Sequence, residues 1–167
     1  MEIKIYIANL GKYNEGFLVG DWFTLPITNW AEVAEKIGLN EQYEEWAIHD
    51  YEAPFKISEY DSIQRLNEIA GALAEINEDE DVIRALFSHL KPDEALEKLR
   101  SGEYRVYRDC DDMGDVAYQI YEESGQLAEI EKIISSSYIN WDAVGRDMEI
   151  EGTFIYLGDR RYLEIIG

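Results

Sequence analysis

The chain has 167 residues, 46% of them hydrophobic and 13% aromatic, a composition that buries a core and excludes a disordered acidic tail. Its 36 Asp and Glu outnumber 15 Lys and Arg, for a formal net charge of −21, which excludes direct nucleic-acid binding because that requires a basic surface. One cysteine excludes an intrachain disulfide, and with only two histidines beside it no zinc site is expected.

The N-terminus, MEIKIYIANLG, has neither a basic region nor an apolar run long enough for a signal peptide. No run approaches the roughly 18 apolar residues of a membrane helix, so the expectation is a cytoplasmic protein with no membrane partner. Ile3, Ile5 and Ile7 alternate and predict a strand. FLVGDWFTL, from Phe17 to Leu25, predicts a second, closed by Pro26. Asn29 and Glu32 have the spacing of a capping box. Behind them Trp30, Val33, Ala34 and Ile37 form a helical stripe that stops at Gly38. EEWAIHDYE (44–52) is a third strand, with Trp46, Ile48 and Asp50 on one side.

The middle is helical. Ile63, Leu66, Ile69, Ala70, Leu73 and Ile76 make one stripe entered at Ser62, and Val82, Ile83, Leu86, Phe87 and Leu90 make another. KPDEALEKLRSG is a third helix, with Pro92 near its start and Gly102 past its end. EYRVYR (103–108) returns to strand, and helical patterns follow at 112–124, about 127–134, and 140–148. TFIYLGDRRYLEII is a hairpin whose two-residue turn is read as Gly158-Asp159. The expected fold is α+β and elongated, with three small units in series: 1–61 as three strands and a helix, 62–103 as short helices, and 104–167 as three strands with helices.

RDCDDMGDVAYQIYEESG (108–125) holds the densest chemistry. As an EF-hand loop starting at Asp109 it has Asp111 and Gly114 in place, but Met113 and Ile120 stand where ligands five and twelve belong. No metal site is expected. Around Cys110, Asp109, Asp111 and Asp112 raise the thiol pKa, with Arg108 as partial relief, so the cysteine is read as inert. With 36 acids, a glycosidase-like pair carries no information. His49 has no nucleophile elbow beside it and is read as structural. No catalytic residue is expected. Taken as a helix, 112–124 puts Met113, Val116, Ala117, Ile120 and Tyr121 beneath a row of Asp112, Asp115, Gln119, Glu122 and Glu123. Duplex DNA carries one charge per about 1.7 Å, so 21 charges correspond to about 36 Å of duplex.

IYIANLGKYNEGFLVGDWFTLP (5–26), EEWAIHDYE (44–52) and YEESGQLAEIEKIISSSYINWDAVGRDMEIEGTF (121–154) resemble, in order and over most of the chain, the ArdA family of antirestriction proteins. The resemblance implies a dimeric DNA mimic, carried by conjugative elements such as conjugative transposons and by phages, that inhibits type I restriction–modification enzymes. Carried over, the acids within the family's motif are Glu122, Glu123, Glu129, Glu131, Asp142, Asp147 and Glu149, which join Asp109, Asp111, Asp112 and Asp115 as a phosphate-mimicking surface. Ile130, Ile133, Tyr138, Trp141 and Val144 are expected in packing or in dimer contact. Gly145 departs from the family expectation of a side-chain-bearing residue. The other functions weighed are an acidic module for another basic DNA-binding protein or nuclease, and a carboxylate hydrolase.

Overall fold

The computed structural model describes residues 1–167. The fold is α+β, with two three-stranded antiparallel sheets and eight helices. The chain divides into two compact units, Met1–Leu96 and Glu97–Gly167.

In the first unit β1 (Lys4–Asn9) is the central strand, paired with β2 (Gly20–Thr24) and β3 (Trp46–Glu52) in the order β2-β1-β3. Ile3, Ile5 and Ile7 are buried on one face, as their alternation requires. A short helix, α1 (Leu10–Asn14), which the apolar pattern does not mark, follows β1 directly. Asn9 explains it. This residue is the only buried polar side chain: its Oδ1 accepts from the Lys12 amide to cap α1, and its Nδ2 donates to the Ile37 and Gly38 carbonyls. One amide thereby fastens the start of α1 to the end of α2 (Trp30–Ile37).

Three local expectations need correction. β2 begins only at Gly20, and Phe17 and Leu18 lie exposed before it. Asn29 sits at the N-cap of α2 but makes no side-chain capping bond. Alternation in β3 breaks at a bulge: Asp50 lies opposite Tyr6 and Ile48 opposite Ile7, so Ala47 and Ile48 are both buried.

The helices α3 (Ile63–Ala74), α4 (Glu80–His89) and α5 (Pro92–Ser101) follow. Ser62 caps α3 by accepting from the Arg65 amide, and Leu66, Ile69, Ala70 and Leu73 are its buried stripe. Ile76 lies past its end. Asn67 joins α3 to the segment after β2, its Oδ1 accepting from the Ile27 amide at 2.7 Å and its Nδ2 donating to the Ile27 carbonyl at 2.8 Å.

In the second unit β4 (Tyr104–Tyr107), β5 (Thr153–Gly158) and β6 (Arg161–Ile165) form a sheet in the order β4-β6-β5. The hairpin turn is Asp159-Arg160, one residue later than the Gly-Asp signal suggests. Gly158 pairs with Arg161 at a bulge, and both turn residues have positive φ, 49° and 58°. Against the sheet pack α6 (Met113–Glu123) and α8 (Trp141–Glu151), and α7 (Gln126–Glu131) packs on α6. Their core is Tyr107, Cys110, Met113 and Val116, with Ile120, Met148, Phe154 and Tyr162 around it.

Gly145, buried in α8, is where the family-based expectation fails for a physical reason. A Cβ there would lie 2.6 Å from the Gly114 amide nitrogen and inside contact distance of the Met113 carbonyl. Only glycine allows α8 to approach the first turn of α6 this closely. Gly145→Ala is expected to destabilise the protein by about 1–3 kcal/mol through overpacking. Chemical denaturation checks this; an unchanged midpoint would contradict the close approach.

Candidate functional site: the carboxylate surface

All but three of the 36 acidic residues (Asp61, Glu78 and Glu164) are exposed. Every acid assigned to the phosphate-mimicking surface, from Asp109 to Glu149, is among the exposed ones. The first unit holds 20 acidic and 7 basic residues, and the second holds 16 and 8. The larger share of net charge, −13 of −21, thus sits on Met1–Leu96. Reading the C-terminal cluster alone missed it, although counting bases as well as acids along the chain would have found it.

Around α6 the acids are fixed by local bonds. Asp112 is its N-cap, its Oδ1 accepting from the Gly114 amide at 2.8 Å and the Asp115 amide at 3.1 Å. The Asp115 carboxylate accepts from the Asp111 amide at 2.7 Å. These aspartates organise a helix start where a calcium ligand set was considered, and no three His, Cys, Asp or Glu side chains converge to hold a metal. Gln119 is not a neutral member of the displayed row: its amide donates to the Arg108 carbonyl. Further along, Glu129 pairs with Lys132 at 2.6 Å, and Glu131 accepts from the Ser136 hydroxyl.

At the other end of α6 stand Glu122 and Glu123, and α8 ends in Glu149 and Glu151. Neither last turn carries a basic residue. Carboxylates there oppose the negative end of the helix dipole, at a cost of about 0.3–1 kcal/mol each. The charge is therefore held where helix stability alone disfavours it.

Cys110 is fully buried. Burial first, then Asp115 and Asp109, push its thiol upward; Asp111 adds to this and Arg160 opposes it. The relief from Arg160, at the β5–β6 turn, has no counterpart in the local sequence around the cysteine. His49 stacks edge-on against Tyr13 at 4.7 Å, with Nε2 4.0 Å from Glu59. It lines an open groove of about 450 Å³ with Tyr51 and Ile57. A second open groove, of about 360 Å³, runs over the α6–α8 contact between Asp112, Asp142, Arg146, Glu149 and Tyr162.

The apolar residues carried over from the motif separate into two groups. Trp141 packs internally, edge-on to Tyr118 at 5.3 Å and Tyr121 at 5.5 Å, and its indole N–H donates to the Ser136 carbonyl. Ile130 and Val144 are half-buried. Ile133 and Tyr138 face solvent, 89% and 79% exposed, and Ile134 beside them is 47% exposed.

Each unit has an apolar interior, and nearly all of its carboxylates are exposed. The chain belongs to the ArdA family: the family model for "Antirestriction protein (ArdA)" matches residues 5–160. It is an antirestriction protein of an inhibitor-type family, and its partner is a restriction–modification enzyme. No curated protein matches the chain. No helix is long and apolar enough to cross a membrane.

Replacing Glu122 and Glu123 with Lys should raise stability by about 0.3–1 kcal/mol per site at low ionic strength by reversing the dipole mismatch. Thermal unfolding at two salt concentrations tests this, and a lowered midpoint at low salt would contradict it.

Proposed function

We propose that the protein inhibits type I restriction–modification enzymes as a DNA mimic, its carboxylates occupying the groove that otherwise holds duplex phosphates. The observation that carries this reading is the exposure of the acids on folded elements. They stand on capped helices and tied loops, including helix ends where they reduce stability. Lys and Arg of the groove exchange phosphate oxygens for carboxylate oxygens. The field of both units steers the approach, so association is fast. No bond is made or broken, and no catalytic residue or cofactor takes part. Acting in the cytoplasm, the inhibitor shields unmodified DNA as a conjugative element enters.

Purified protein added to a type I enzyme and its DNA is expected to compete for DNA binding as well as to block cleavage. Blocked cleavage with DNA still bound would overturn groove occupation. Inhibition confined to a non-specific nuclease would instead support an acidic module for another basic protein. Because the charge is distributed, single Asp→Asn or Glu→Gln changes at exposed positions should weaken inhibition less than about fivefold, the equivalent of an exposed ion pair of about 0–1 kcal/mol. Complete loss from one such change would contradict the model.

The same reading includes a homodimer. Ile133, Ile134 and Tyr138 are exposed apolar side chains within the region that resembles the family motif, and a second copy of the chain is the proposed partner that covers them. Sedimentation of an Ile133→Glu, Tyr138→Glu variant should show a monomer where the unaltered protein is a dimer. A dimer of unchanged affinity would place the interface elsewhere.

A further inference from the structure

Arg160 occupies a costly position. It is the second residue of the β5–β6 turn, at φ 58°, a place where two-residue hairpins ordinarily take glycine. It is also a cation kept inside the acidic surface of a protein of net charge −21. Its contacts all run to one loop. Its guanidinium donates to the Asp109 carbonyl at 3.1 Å, and its Nε lies 2.5 Å from the Asp111 carboxylate. A second guanidinium nitrogen lies 3.9 Å from the Asp109 carboxylate. In return, the Arg160 carbonyl accepts from the Cys110 amide at 3.0 Å. Asp109 is itself held at φ 60°, a left-handed conformation unusual for a side-chain-bearing residue. The hairpin tip and the acidic loop therefore fix each other, while the Asp109 and Asp111 side chains remain 89% and 71% exposed.

We propose that Arg160 is a positioning residue: by holding Asp109, Cys110 and Asp111 through both backbone and side chain, it fixes where the loop's carboxylates meet the restriction enzyme. This rests on the DNA-mimic reading above. A planar fork that bonds a carbonyl and a carboxylate together suits the task, whereas a lysine ammonium offers no such fixed geometry. The loop continues into the Asp112 cap and the Asp115–Asp111 bond, so an error at Arg160 is passed on to the start of α6.

Charge counting and positioning give opposite signs for one substitution. Arg160→Gln makes the protein one unit more negative than −21. If the carboxylate surface acted only through total charge, this variant would bind the enzyme more tightly, with a steeper loss of affinity on adding salt. Positioning predicts the reverse. Inhibition weakens about tenfold, the equivalent of one charge-assisted hydrogen bond, and the salt slope becomes shallower because fewer carboxylates engage together. Arg160→Lys, which keeps the charge but not the fork, should recover only part of the loss.

The experiment measures inhibition and its salt slope for the unaltered protein, Arg160→Gln and Arg160→Lys against one type I enzyme, with near-ultraviolet circular dichroism as the check on folding. If the unaltered protein fails to displace DNA, the DNA-mimic reading falls. If it displaces DNA and the folded Arg160→Gln variant is equal or stronger, the Arg160 proposal alone is overturned. Should Arg160→Gln fail to fold, Arg160→Lys decides: full inhibition at unchanged slope overturns the proposal, and a weakened, shallower response supports it.

Discussion

A chain with 36 carboxylates and 15 cationic side chains must keep nearly every charge in water while still closing a core. That constraint governs the rest of the structure. Burying an unpaired carboxylate is far too costly, so each element can contribute only one apolar face. The result is an interior whose only polar side chain is Asn9, with two of its bonds spent on helix-end carbonyls and one on a helix-start amide. The carboxylates that remain outside repel one another, and exposed ion pairs such as Lys132–Glu129 offset little of that repulsion.

The second unit shows how apolar packing and charge display are coupled. The Gly145–Gly114 approach brings the first turns of α6 and α8 together, and with them Asp112 and Asp142, whose side chains both lie beside Gly114. Tightness beneath therefore sets spacing above. A surface of this kind differs from a flexible acidic tail because its carboxylates stand on helices, strands and bonded loops. A groove shaped for a regular phosphate array recognises spacing as well as sign.

Much of this was legible from periodicity. The Ile3-Ile5-Ile7 strand, the stripes of α3 and α4, and the start of α3 at Ser62 follow from local rules that the tertiary structure leaves intact. What was not legible depends on partners distant in sequence. Asn67 looks like any polar helix residue until Ile27 lies beside it, and Asn9 looks like a strand end until the last turn of α2 arrives. The bulge in β3 and the one-residue shift of the β5–β6 turn change register, which alternation alone does not specify. Gly145 read as an anomaly because the residue it touches is about thirty positions away. For the site, exposure of the acids was readable from helix phase. The contacts of Asp109 and Asp111 with Arg160 were not, since a hairpin turn supplies the cation.

The central claim is that carboxylates replace phosphates in the enzyme's groove. The most direct measurement is the affinity of the unaltered protein for a type I restriction–modification enzyme, without DNA, across a salt series from about 50 to 200 mM, beside the same series for a DNA duplex. The account predicts steep linear falls of log affinity with log salt for both ligands. An affinity for the protein that stays flat while that for DNA falls would contradict it.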